Sequence, residues 1–221
     1  MHTRASPHDD GHSFNYSQLF KNFSKANIIG PFDKIGIVFQ PLGINHFMSD
    51  NSSKFINDEI NVNFNYFQKT LSPVLEKVFA ENSLEAKIDL LDGYFLNHLS
   101  EVEDKRISNA ITIIFQSDEK LSAQDLSDSL NINRKTLLRL FNRHLNCSPK
   151  DYIILIQFRK AVELYQNASH KPSLTRLALD LDYYDQSDFI HRFTKITGVN
   201  PTKLFNNLKE FGVHSTYWST N

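Results

Sequence analysis

Residues 185–201 read DQSDFIHRFTKITGVNP. Asp185 is a strong N-cap residue, because its carboxylate accepts a free backbone N–H of the first turn. Phe189 and Phe193, four apart, fall on one helix face. Gly198 supplies a left-handed stop, and Pro201 suits the first position of a following helix. This pattern predicts a helix over 186–197 and a last helix from Pro201 to about Phe211. Just upstream, Ser173 caps a short helix over 174–181, so residues 174–197 read as short helix, turn and longer helix.

The same plan occurs roughly 50 residues earlier in the chain. Ser122, followed three residues later by Asp125, gives a capping-box-like start to 123–130. Asn131-Ile132-Asn133 is a tight turn, and 134–145 is a helix whose apolar stripe is Leu137, Leu140, Phe141 and Leu145. A small residue sits near each first helix, Ala123 and Ala178. Each second helix carries an aromatic core position, Phe141 and Phe193, and ends before a proline, Pro149 and Pro201. A long helix from Pro149 to about Gln166 joins the two motifs, and residues 107–115 form a helix ahead of them.

On this plan, residues 107–211 resemble the two-helix-turn-helix DNA-binding domain of the AraC/XylS family of bacterial transcription regulators. The first motif carries the likeness in Leu126, Leu130-Asn131-Ile132-Asn133-Arg134-Lys135-Thr136-Leu137-Leu138-Arg139-Leu140-Phe141, Ser148-Pro149 and Arg159-Lys160-Ala161. The second carries it in Leu177-Ala178, Asp185-Gln186-Ser187-Asp188-Phe189-Ile190-His191-Arg192-Phe193 and Thr197-Gly198-Val199-Asn200-Pro201. Three positions depart from the family pattern: Asn146 and Asp182 stand where glycine is usual, and Gln157 where arginine is common. Asn and Asp tolerate the left-handed conformation at some cost.

The resemblance implies two recognition helices, 134–145 and 186–197, in successive major grooves. A linking helix of about 18 residues spans roughly 27 Å, and with its flanking packing it can set the two about one DNA turn apart. The base-facing candidates are Arg134, Lys135, Leu138 and Arg139, then Gln186, Ser187, Ile190 and His191. Arginine pairs with guanine O6 and N7, glutamine with adenine N6 and N7, and Leu138 suits a thymine methyl. Arg143, Lys150, Arg192 and Lys195 are the phosphate-contact candidates.

Outward from this domain the pattern weakens. Residues 101–106 read as a linker, 1–13 as a flexible leader and 212–221 as a C-terminal tail. Within 14–100, Ile35-Gly36-Ile37-Val38-Phe39 reads as a buried strand between Gly30-Pro31 and Pro41-Leu42-Gly43. Ile60, Val62 and Phe64 alternate like a strand. Helices are predicted from Leu71 to Phe79, with Ser72 as N-cap and Pro73 at N1, and again from Ser83, with Ile88, Leu91, Phe95 and Leu99 at helical spacing. The stretch GPFDKIGIVFQPLGINHFM, residues 30–48, resembles the closing part of the N-terminal sensor or dimerisation domain of a subgroup of AraC regulators. A full cupin-like barrel needs on the order of 100 residues before such helices, more than precede Leu71. The expected fold is therefore mainly α: a seven-helix double helix-turn-helix domain behind a small α+β, abbreviated cupin-like sensor region.

The chain has 221 residues, 24 Lys+Arg, 25 Asp+Glu and a formal net charge of −1. Residues 1–106 carry −4 and residues 107–221 carry +3, so the predicted DNA-binding half is the basic one. That excess is too small to hold DNA as bulk charge, which leaves affinity to placed contacts. One cysteine excludes an internal disulfide framework, and a reducing cytoplasm is the expected compartment. No stretch reaches the ~18 apolar residues of a membrane span.

Neither a cofactor nor a catalytic constellation is expected, since no nucleophile elbow, phosphate loop, H-E-x-x-H or dinucleotide fingerprint occurs. A metal site is not expected either; His8 and His12 are four apart, but Pro7 and Gly11 oppose a helix there. Cys147 reads as a small structural residue and His46 as a polar loop residue. Expected partners are double-stranded DNA and RNA polymerase, with a small-molecule effector and a homodimer through the N-terminal region as further possibilities. Two rival readings are a non-DNA-binding partner of a full-length regulator and an enzyme with an appended regulatory domain.

Overall fold

A computed structural model describes residues 16–17, 35–48, 60–61, 66–101, 104–117, 121–210 and 217–219. The described residues form nine α-helices, one 3-10 helix and four short strands. They fall into two compact units. The first takes the described residues up to Ser108 together with Arg139–Asn146; the second takes Asn109–Leu138 and the described part of Cys147–Asn221.

In the first unit, β1 (Tyr16–Ser17) pairs antiparallel with β2 (Ile60–Asn61), Tyr16 opposite Asn61. The 3-10 helix Gly43–Phe47 starts after Leu42, which holds a left-handed φ of 65°. Helices α1 (Gln68–Ala80) and α2 (Leu84–Asn97) follow. Their core is Ile44, Met48, Phe67, Leu71 and Tyr94, with Phe39, Phe47, Val74, Leu75, Leu91 and Phe95 packed against it. Phe47 meets Phe95 edge-on at 5.0 Å and Phe39 meets Phe95 at 5.6 Å. Such tilted pairs let positive ring edges face negative ring faces.

This arrangement corrects the expectation for 14–100. Ile35–Phe39 is not a strand: Ile37 is 41% and Val38 72% exposed, and Phe39 packs against the core. After the Pro41-Leu42 turn, Ile44, Phe47 and Met48 recur three to four apart, so the segment buries its apolar side chains as a helical turn. Strand among the described residues of this region is limited to the β1–β2 pair, and they do not form a cupin-like barrel. Val62, Phe64 and the leader lie outside the described residues.

Helix α1 also starts earlier than predicted. Phe67 is its N-cap, and Pro73 lies inside it. Proline withdraws the N–H that would bond the carbonyl of Lys69. Lys69, Thr70 and Pro73 are all exposed, on the outer side of the helix. Ser83 caps α2 as expected, its side chain accepting from Ala86 N.

Seven further helices follow in chain order. They are α3 (Lys105–Gln116), α4 (Ala123–Ser129), α5 (Arg134–Leu145), α6 (Pro149–Asn167), α7 (Leu174–Asp180), α8 (Gln186–Thr197) and α9 (Pro201–Asn207). The last helix is shorter than predicted. At Leu208 the chain becomes extended, and β3 (Leu208–Glu210) pairs antiparallel with β4 (Tyr217–Ser219), Lys209 opposite Trp218.

In the second unit, α6 has 19 residues, a length of roughly 28 Å. Lys160 on α6 donates to the carbonyl of Ser117, just past the end of α3, at 2.6 Å. A cation there meets the negative end of the helix. Farther along α6, Ala161 and Val162 join Leu177, Ala178, Tyr183, Phe189, Phe193, Leu204 and Phe205 in one core. Phe193 sits at its centre, touching Phe158, Phe189 and Phe205.

Candidate nucleic-acid interface

The two predicted motifs share the same kinds of cap and turn. Ser122 caps α4 in a full capping box with Asp125, and Ser173 caps α7 by accepting from Arg176 N. The turn residues Asn131 and Asp182 hold φ of 51° and 54°. Each turn closes on the first helix: Ile132 N donates to Ser127 O at 3.0 Å, and Tyr183 N to Ala178 O at 2.9 Å. The matching small residues are thus Ser127 and Ala178, each 1% exposed. The sequence pairing of Ala123 with Ala178 is corrected here, because Ala123 begins its helix and does not lie under the turn.

Both second helices start on a side-chain cap. Asn133 Oδ1 accepts from Thr136 N, and Asp185 Oδ1 accepts from Asp188 N, each at 2.8 Å. Both end in the left-handed region, at Asn146 with φ 50° and Gly198 with φ 71°. Their inner faces bury Leu137, Leu140 and Phe141 in one and Phe189 and Phe193 in the other.

The turns differ in length. The second turn is a residue longer, and the additional residue, Tyr184, is 88% exposed immediately before α8. Its neighbour Tyr183 is buried edge-on against Phe189 at 5.1 Å. Burial pushes the Tyr183 hydroxyl up to about 12, with Arg192 opposing and Asp188 reinforcing the shift.

On α5 the predicted outer face is present. Arg134, Lys135, Leu138, Arg139 and Arg143 are all exposed. Residues 134 and 138, 135 and 139, and 139 and 143 each stand one turn apart, so they line a common strip. Lys150 is exposed in the first turn of α6. Among the described residues, Arg134, Lys135 and Arg139 form no ion pair. The first turn of α5 holds no acidic residue.

On α8 the predicted set divides. Gln186, Ser187, His191 and Lys195 are exposed, as a reading face requires. Ile190 is partly buried and packs on the core of its own motif. The Arg192 guanidinium is already engaged: Nε donates to Asp188 Oδ1 at 2.7 Å, and the group lies 5.8 Å from the Tyr183 ring centre. Gln186 is engaged too, its Oε1 accepting from Thr175 Oγ1 at 2.6 Å. Asp185 and Asp188 place two carboxylates at the start of α8, so its entry is far less cationic than that of α5.

Sequence reasoning missed Ser127, Thr175 and Tyr184. Ser127 is recognisable by its place under the turn. Thr175 has no local signal, because its partner lies on the next helix. Cys147 is buried, consistent with a structural role. His46 donates from Nδ1 to Ser100 O at 2.7 Å, while Ser100 N and Oγ donate back to His46 O. That clasp ties the 3-10 helix to the segment after α2. Among the described residues no helix is long and apolar enough to cross a membrane.

Residues 126–207 match the family of the helix-turn-helix domain. The chain is 24% identical over 160 residues to the Msm operon regulatory protein of Streptococcus mutans, covering 71% of this chain and 56% of that protein. It is 29% identical over 96 residues to the lactose operon transcription activator of Staphylococcus xylosus, covering 43% and 34% respectively. The chain therefore spans about half or less of these relatives' lengths. Two solved structures are similar. One is a transcriptional regulator of the AraC-type DNA-binding domain group from Chromobacterium violaceum, with TM-score 0.42, 20% identity, and 47% of this chain and 91% of that one covered. The other is apo ToxT from Vibrio cholerae, with TM-score 0.44, 12% identity, and 74% and 65% covered.

Proposed function

We propose that the chain is a sequence-specific, DNA-binding transcription regulator of AraC type whose α5 and α8 enter successive major grooves, a reading supported by the match of residues 126–207 to the helix-turn-helix domain family. The observation that carries this reading is the repeated motif itself. Each copy presents a capped helix N-terminus, a left-handed turn that fixes its angle, and an exposed outer face. Side chains near such an N-terminus reach base edges.

The two helices divide the work unequally. Arg134, Lys135, Leu138 and Arg139 on α5 read bases, with Arg143 and Lys150 on phosphates. On α8 the base readers are Gln186, Ser187 and His191. Lys195 serves the backbone, and Arg192 braces Asp188 unless DNA draws it away. The acidic start of α8 makes α5 the stronger polyanion contact. The N-terminal unit supplies dimerisation, response to a small-molecule effector, or contact with RNA polymerase. No catalytic step belongs to this reading.

Selection of genomic fragments by the full chain, at defined salt, tests it. Recovery of a shared sequence supports the reading, and recovery of fragments with no common sequence overturns it. The alternative, a non-DNA-binding partner of a full-length regulator, is favoured by the carboxylates of Asp185 and Asp188 at the start of α8. It requires that no DNA be retained and that a regulator co-purify.

A further inference from the structure

The Thr175–Gln186 hydrogen bond determines which half of the Gln186 amide is left to meet DNA. Gln186 is the first residue of α8, Thr175 the second of α7, and both are exposed. At 2.6 Å, Thr175 Oγ1 donates to Gln186 Oε1. A glutamine that reads adenine uses both amide atoms: Nε2 donates to N7, and Oε1 accepts from the N6 amino group. Here Oε1 is turned toward α7 with one of its two lone pairs taken by Thr175, so Nε2, with both of its hydrogens, is the half of the amide more open to a ligand.

A donor facing adenine satisfies N7 but confronts the N6 amino group, another donor. Guanine presents acceptors at both N7 and O6. We propose that Thr175 is a positioning residue that presents Gln186 as a hydrogen-bond donor, so that Gln186 selects guanine over adenine. This departs from the adenine preference that the residue type alone implies. It rests on the reading of α8 as a recognition helix.

The test is selection from a randomised duplex library by the full chain, comparing wild type with Gln186→Ala, Thr175→Val and Thr175→Ser. Valine keeps the branched shape and removes the hydroxyl, and serine restores the hydroxyl. Gln186→Ala identifies the base position concerned by flattening it. At that position wild type and Thr175→Ser enrich guanine, and Thr175→Val moves the guanine-to-adenine ratio by about tenfold toward adenine, the size of one good base contact. A purely structural role for Thr175 would weaken binding at all positions without that shift. Two results overturn the proposal while leaving DNA reading intact: adenine preferred by wild type at the Gln186-dependent position, or an unchanged ratio in Thr175→Val. If wild type enriches no sequence, or if Gln186→Ala changes no position, the reading of α8 falls and the proposal falls with it.

Discussion

The side-chain amide of Asn45 donates to the main-chain oxygen of His144 at 3.0 Å. His144 lies in the last turn of α5, whose final carbonyls have no partner within the helix. The 3-10 helix Gly43–Phe47 thus caps the end of the helix that carries Arg134, Lys135 and Arg139 at its other turns. Asn45→Ala is expected to lower stability by roughly 0.5–1.5 kcal/mol, the usual net value of such a bond. Urea denaturation measures this, and an unchanged midpoint would mean that water replaces the amide at no cost.

The same contact has a pH dependence. His144 Nε2 is buried without a hydrogen-bond partner among the described residues, and Nδ1 faces the Asn45 amide at 3.5 Å. Burial holds the imidazole below its ordinary value of 6.5; Arg143 adds to the effect and Asp104 opposes it. Below about pH 6.5 the unfolded chain takes up a proton that the folded chain resists, so stability falls with acidification and is level above that range. Melting temperatures across this range are expected to decline less steeply in His144→Gln than in wild type. Equal slopes would show that His144 is not the linked group.

Asp182 occupies the left-handed region with φ 54° at the turn between α7 and α8. A side chain there crowds its own carbonyl, a strain glycine avoids. Asp182→Gly is expected to raise stability by up to about 1 kcal/mol, and Asp182→Val to lower it by about 1–2 kcal/mol. Thermal denaturation of the two variants checks the sign at each.

Arg139 and Lys195 are both exposed, and the proposed function gives them different tasks. Arg139→Ala is expected to relax sequence preference at one position and to leave the melting temperature unchanged. Lys195→Ala is expected to weaken all sequences alike and to reduce the salt-dependence slope by about 1. Mobility shifts at several salt concentrations separate these outcomes.

The helices of residues 105–207 were legible because their punctuation is local. Ser122, Ser173, Asp185, Gly198 and Pro201 do in the structure what their types and spacing predicted. The left-handed stops at Asn146 and Asp182 were equally readable as substitutes for glycine. Sequence reading failed where the outcome depends on partners far along the chain. Ile37 and Val38 have the composition of a buried strand, yet their exposure follows from what packs beside them. Leu208–Glu210 leaves its helix to pair with Tyr217–Ser219. On α5 the exposure of the outer side chains was predicted correctly because helical period sorts them. The engagements of Gln186 with Thr175 and Arg192 with Asp188 were not foreseen, since each depends on rotamers that spacing does not specify.

Under the proposed function, α5 and α8 of one chain read one face of DNA. Methylation interference at guanine N7, which lies in the major groove, tests it most directly on any selected site. Two clusters of interfering guanines are expected, centred about 10 base pairs apart. Arg139→Ala should weaken the cluster under α5, and Gln186→Ala the cluster under α8. A single cluster, or two clusters that both respond to Arg139→Ala alone, would contradict it.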